Sequence, residues 1–234
     1  MKNTNLIFIL SIILSLITVS CRDKYDQDES FQEGSDFRIM NAATKFATSP
    51  LNVYKDDKLL LDTFLYGTDS KYYRSAATSN NINIKIKDAN NVESSILNFN
   101  DSNVNNQNIT YFLYSPSATS NTLEYIKTVD DINQPDNNKA KIRLANLASN
   151  LTSNVDVYIN NNKIIASNIP FKKVTDFITV ATTDKITVVY TGTTTIVKAI
   201  TNAPLTSKGV YTYVLGGTLN SANPLFITQF SNTL

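Results

Sequence analysis

The chain has 234 residues, 21 Lys and Arg against 20 Asp and Glu, no histidine, one cysteine and six glycines. A balanced charge without basic runs gives no electrostatic reason to seek nucleic acid. Without histidine there is no Ser-His-Asp or Cys-His mechanism and no His-ligated zinc, and a lone cysteine forms no internal disulfide or thiolate metal site. No glycine-rich phosphate loop is present either. The sequence therefore predicts a non-enzyme without cofactor or metal.

Residues 1–20 have the parts of a secretory signal peptide. Lys2 supplies the charge, Leu6 to Leu16 is Leu, Ile and Phe except for Ser11 and Ser15, and Thr18-Val19-Ser20 suits a peptidase cleft. The apolar run falls short of the roughly 20 residues of a spanning helix. Cys21 follows it, and the junction resembles the lipobox of bacterial lipoproteins, with Ser20 fitting the site before cysteine and Thr18 standing where an aliphatic residue is usual. The resemblance implies acylation at Cys21, and several acyl chains on one residue hold a protein firmly to a membrane. Residues 21–35 read as a polar tether, including Arg22-Asp23-Lys24-Tyr25-Asp26-Gln27-Asp28-Glu29-Ser30, too poor in aliphatic side chains to fold alone. Its Asp28-Glu29 pair resembles the acidic surface-export signals of Bacteroidetes-type lipoproteins, and reads equally as plain solvated linker. The expected location is the cell envelope, anchored by lipid in the outer membrane, with exposure at the cell surface if the Asp28-Glu29 pair acts as an export signal.

Beyond the tether the chain repeats itself. Phe37-Arg38-Ile39-Met40-Asn41-Ala42-Ala43 aligns with Ile142-Arg143-Leu144-Ala145-Asn146-Leu147-Ala148, and Leu51-Asn52-Val53-Tyr54 with Val155-Asp156-Val157-Tyr158. Tyr66 answers Phe171, Tyr72 answers Phe177, Ile82-Asn83-Ile84 answers Ile186-Thr187-Val188, and Thr110-Tyr111-Phe112-Leu113 answers Thr212-Tyr213-Val214-Leu215. Two domains follow, 36–131 and 140–234. The apolar-poor linker 132–139 between them carries Pro135.

Period-two alternation dominates each repeat. Ile82, Ile84 and Ile86 are expected inward, with Val155 and Val157. Lys85, Lys87 and Asp156 are expected in solvent. Asn160-Asn161-Asn162 and Asp56-Asp57 turn the chain, since Asn and Asp tolerate left-handed backbone angles. The acids Asp130-Asp131 also read as a turn. About seven short strands per repeat point to an all-β fold of two tandem antiparallel sandwiches.

The pattern Arg-aliphatic-x-Asn, then Val155-Asp156-Val157-Tyr158, a polar turn, an aromatic near Phe171 and the late strand Tyr211-Thr212-Tyr213-Val214 resembles the bacterial family named domain of unknown function 4397. Lys141 to Phe230 is read as the better match and Asp36 to Val129 as a diverged copy. The family usually has glycine in its first hairpin, where this chain has Asn161 or Asp57. It often has another in its middle turn, matched by Gly192 and poorly by Asp88. The resemblance implies immunoglobulin-like sandwiches in exported proteins, often lipoproteins, and no known activity.

Arg38 with Asn41, and Arg143 with Asn146, recur in both repeats. They read as fold maintenance, Asn closing the strand onto the next turn and Arg pointing outward. Tyr72, Tyr73 and Arg74 are the residues singled out as a ligand surface, because rings with a polar end suit protein or sugar partners. The leading functional reading is a lipid-anchored, non-catalytic binding, adhesion or assembly module. Its partners would be the membrane through the anchor and an envelope protein or glycan. Two alternatives are a carbohydrate-binding accessory of a polysaccharide-uptake system, which needs an exposed aromatic platform, and a carboxylate-dependent hydrolase, which needs two acids converging in one cleft.

Overall fold

The computed structural model describes residues 34–76, 79–102, 104–117, 119–198, 200, 204–219 and 223–233. The signal peptide, Cys21 and nearly all of the tether lie outside the described residues.

The first repeat supplies eight strands: β1 (Gly34–Ala42), β2 (Leu51–Lys55), β3 (Lys58–Phe64), β4 (Tyr73–Ala76), β5 (Ser79–Lys87), β6 (Glu93–Ser102), β7 (Asn108–Tyr114) and β8 (Glu124–Val129). They form two sheets, β4-β1-β7-β8 and β3-β2-β5-β6. The second repeat supplies β9 (Lys139–Asn146), β10 (Val155–Ile159), β11 (Lys163–Ile169), β12 (Lys173–Val174), β13 (Ile178–Ala181), β14 (Ile186–Tyr190), β15 (Ile196–Lys198), β16 (Val210–Gly216) and β17 (Phe226–Ser231). Its sheets are β12-β9-β16-β17, with β13 also on β9, and β11-β10-β14-β15. The fold is all-β, and each repeat is a sandwich. Most pairings are antiparallel, but β1 runs parallel to β7 and β9 parallel to β16, a pairing that the alternation pattern does not reveal.

Local chemistry sets the hairpins. Asp56 and Asp57 join β2 to β3 at φ of 49° and 62°, the left-handed pair that a two-residue hairpin turn needs. Asn160 and Asn161 take φ of 51° and 61° in the three-residue loop between β10 and β11. The backbone goes left-handed at both turns, and Asn and Asp are the side chains other than glycine that follow it at least cost. In the middle turn of the second repeat Gly192 takes φ 73°, while in the first Asn91 does so at 62° and Asp88 caps the backbone N–H groups of Asn90 and Val92.

Each sandwich has its own core. Phe37, Ile39, Leu51, Val53, Ile82, Ile84, Ile109 and Tyr111 fill the first, and Ile142, Leu144, Val155, Val157, Val188, Tyr213 and Leu215 the second. Ile86 is partly buried. A third cluster, with Met40, Ala42, Phe112, Tyr114, Ala145, Leu147, Val214 and Phe230, comes from the opposite faces of β1, β7, β9, β16 and β17. The two sandwiches therefore stack as four layers, with sheets β4-β1-β7-β8 and β12-β9-β16-β17 in the middle. This explains why Tyr111-Phe112-Leu113-Tyr114 and Tyr211 to Gly216 are buried at every position: a sheet covered on both faces has no solvent side to alternate with.

Two solvent expectations need correction. Asp156 points away from the second core yet is buried, because its carboxylate accepts the backbone N–H of Asn168 and of Gly192 and the hydroxyl of Thr191. Lys85 is half-buried, its ammonium 4.1 Å from the centre of the Tyr54 ring. Lys87 is exposed, as its alternation implies.

Candidate functional site

The most elaborate polar chemistry lies in the seam between the sandwiches. Arg143 stands on β9 with its side chain turned from its own core toward the first repeat. Its Nη2 donates to Asp130 Oδ1 at 2.5 Å, its Nη1 to Thr128 Oγ1 at 3.2 Å and its Nε to Thr212 Oγ1 at 2.8 Å. Both ionised side chains are fully enclosed, at 2% and 0% exposure. The second oxygen of Asp130 accepts from Thr110 at 2.6 Å, Tyr72 at 2.5 Å and Asn232 at 3.3 Å. Asp130 is thus no solvated turn residue but the anion around which the seam is built. A buried ion pair offsets its desolvation only when its remaining lone pairs are satisfied, and here they are. Asp131 lies outside and pairs with Lys141.

Arg38, the equivalent residue in the first repeat, reaches the other way. Its Nη1 donates to the Ser231 carbonyl at 2.6 Å, and its Nη2 lies 3.5 Å from Asp69. Its guanidinium stacks between the rings of Tyr72, at 4.3 Å, and Phe230, at 4.6 Å, much as Arg143 lies 4.5 Å from Phe177. Each arginine therefore anchors on the other repeat, the reciprocal pattern of a two-fold interface. The far end of the seam repeats it. Tyr66 packs edge-on against Phe226 at 5.3 Å, and Phe171 against Tyr114 at 5.7 Å. Gly216 leaves the room that Phe226 occupies, since a Cβ there would stand 2.5 Å from its ring.

Enclosure shifts the ionisable groups. Burial, then the charge of Asp130 and the hydrogen bond to it, push the Tyr72 hydroxyl far above its usual range, so it remains a donor. Burial raises the Asp69 carboxyl against the pull of Arg38.

The arginines are outward from their own sandwiches, as the sequence reading has it, but in the seam rather than in solvent. Asn41 and Asn146 do close their strands onto the next turn. Each donates its amide to a carbonyl 23 residues on, Phe64 or Ile169, and accepts the N–H two residues on. The trio Tyr72, Tyr73 and Arg74 is not brought together as one surface. Tyr72 belongs to the seam, Tyr73 packs on Phe37 at 6.0 Å in the first core, and exposed Arg74 pairs with Asp36. Among the described residues no three His, Cys, Asp or Glu side chains gather as a metal site.

The outer sheets are where side chains meet solvent, and sequence reasoning passed over them. In the first repeat Tyr54, Asn83, Asn98, Asn81 and Asn100 share one face. The Asn81 amide donates at 2.8 Å to both Asn98 and Asn100. The Tyr54 hydroxyl and the Asn52 amide donate to Glu93 and hold its carboxyl below its usual range. In the second repeat Tyr158, Asn161, Thr187, Val189, Thr193, Thr194 and Ile196 line a groove of about 240 Å³. Tyr54 aligning with Tyr158 at an outward position of a central strand was the signal available in the sequence.

Comparison with protein families finds a match to the model described as Domain of unknown function (DUF4397) over residues 35–153. The matched segment spans the whole first repeat, the one read as the diverged copy, and ends in the second, before β10. No curated protein matches the chain. With residues 35–153 matched, just over half of the 234 residues, the chain belongs to the DUF4397 family.

Proposed function

We propose that this protein is a lipid-anchored envelope component whose paired sandwiches act as one rigid, non-catalytic binding module. The observation that carries the reading is the seam. The enclosed Arg143–Asp130 pair, the reach of Arg38 to Ser231 and the packed rings join the two repeats, which leaves the sheets β3-β2-β5-β6 and β11-β10-β14-β15 as the two outward faces. Such an arrangement turns two sheet faces to solvent, the second with a groove of about 240 Å³, and this suits recognition of a partner. The anchor rests on Cys21 following the apolar run.

Two measurements test the reading. Metabolic labelling with a lipid precursor should mark the wild type and spare Cys21→Ser. Cross-linking in intact cells should recover discrete envelope partners with the wild-type chain. Equal labelling of both chains would remove the anchor, and cross-links indistinguishable from those of an unrelated anchored protein would remove the binding role.

A further inference from the structure

The outer groove of the second repeat has a chemistry its counterpart lacks. Its floor is Thr187 and Val189 on β14, its walls are Tyr158 on β10 and Ile196 on β15, and Asn161 and Thr193-Thr194 close its ends. No lining residue carries a formal charge. The volume of about 240 Å³ lies below the roughly 300–1,000 Å³ of drug-sized sites, which limits the occupant to one ring with its substituents.

In the first repeat the same place is occupied from within. Lys85 stands where Val189 stands, since β2 pairs Asn52 with Lys85 as β10 pairs Asp156 with Val189. Its ammonium covers the Tyr54 ring and meets Glu93 at 3.9 Å. Val189 has no ammonium to lay over Tyr158, so that half-buried ring borders an apolar floor instead of a cation. Ile196, at 52% exposure, leaves an aliphatic wall in water beside it.

We propose that this groove binds one pyranose ring of a neutral glycan. A pyranose has a face of C–H groups, which an aromatic ring and aliphatic side chains cover, and a rim of hydroxyls, which Asn161, Thr194 and the Tyr158 hydroxyl can meet. The uncharged lining disfavours phosphate, carboxylate and ammonium ligands, which would be desolvated without a counter-charge. The inference rests on the binding-module reading and names a ligand class for one of its faces.

The test is affinity electrophoresis of the detergent-solubilised full chain in gels containing, separately, an α-glucan, a β-glucan, a mannan, a xylan and a galactan, with alginate as the anionic probe. Wild type should be retarded by at least one neutral polymer. Tyr158→Ala and Val189→Lys should each weaken that association tenfold or more, while Tyr54→Ala leaves it unchanged. Ile196→Lys places a charge on an exposed wall without disturbing the fold and should weaken it as well. Retardation by no neutral polymer, retardation by alginate alone, or retention of binding in Ile196→Lys and Tyr158→Ala would overturn the proposal. Envelope cross-links surviving any of those results would show that the binding module stands and only its glycan ligand falls.

Discussion

The two repeats share a strand order and differ in nearly everything that fills it. The first packs its core with rings: Phe37, Phe46, Phe64, Tyr73, Phe99, Tyr111 and Tyr125, with Phe99 and Tyr125 stacked at 3.9 Å. The second uses Ile, Val, Leu and Ala, with Tyr211 and Tyr213 as its rings. Near their ends β3 and β11 each arch out of register with the preceding strand; Asn52 holds the first arch, its Oδ1 accepting the N–H of Thr63, and Asp156 the second, accepting that of Asn168. On the outside, one face is amide-rich with Lys85 laid across its tyrosine, and the other is neutral and open. Pairing pattern and burial parity therefore carry the topology, and the volume inside can be supplied in more than one way.

The largest expected break in this equivalence is in the seam. Arg143→Ala leaves Asp130 enclosed and uncompensated, which should cost about 3–5 kcal/mol in denaturant titration. Arg38→Ala should cost clearly less, because Asp69 is 31% exposed and water can replace the arginine. Equal losses would mean that the two-fold likeness is energetic as well as geometric. Asp130→Asn with Arg143→Met should recover much of the loss, since the buried charges go together.

Next come the cores. Ile84→Ala and Val188→Ala delete fully buried side chains at equivalent places. The first should cost about 2–5 kcal/mol and the second somewhat less, for the smaller side chain. Lys85→Ala should cost about 1 kcal/mol or less, through its stacking on the tyrosine. A loss from Lys85→Ala as large as that from Ile84→Ala would contradict the face assignment of β5.

The arches give a pH signature. Burial acts to raise the Asp156 carboxyl, but the Asn168 N–H, the Thr191 hydroxyl and the Gly192 N–H outweigh it and hold it below the ordinary 3.8. The folded value lies under the unfolded one, so the unfolded chain takes the proton first. This contribution is complete above about pH 4 and is lost as the pH falls through the folded value. Asp156→Asn should flatten the acid limb of a stability–pH curve, whereas Asn52→Ala should lower the curve without changing its slope. An unchanged acid limb in Asp156→Asn would assign the pH response elsewhere.

The smallest effect separates the arches by backbone. Thr63 has φ of 54° and Asn168 has 53°. A β-branched residue is strained there and asparagine is not. Thr63→Asn should raise the free energy of unfolding by about 1 kcal/mol, and Asn168→Thr should lower it similarly. A neutral result in both would mean that the Asn52 and Asp156 bonds set the cost regardless of side chain.

The sequence by itself determined the all-β class, the inward faces of Ile82-Ile84 and Val155-Val157, the left-handed turns at Asp56-Asp57 and Asn160-Asn161, and the strand-closing role of Asn41 and Asn146. These are local facts: alternation reports which side of a strand avoids water, and Asn and Asp report where the backbone goes left-handed. Only the tertiary structure decided the seam. Arg38, Arg143, Tyr72 and Asp130 are polar, and a polar residue on a strand reads as solvent-facing until something covers it. What covers them lies far away in the chain, as Arg38 with Ser231 shows. The same holds for Asp156, whose burial depends on donors at Asn168 and Gly192, and for the outer groove, which exists because Val189 is too short to do over Tyr158 what Lys85 does over Tyr54.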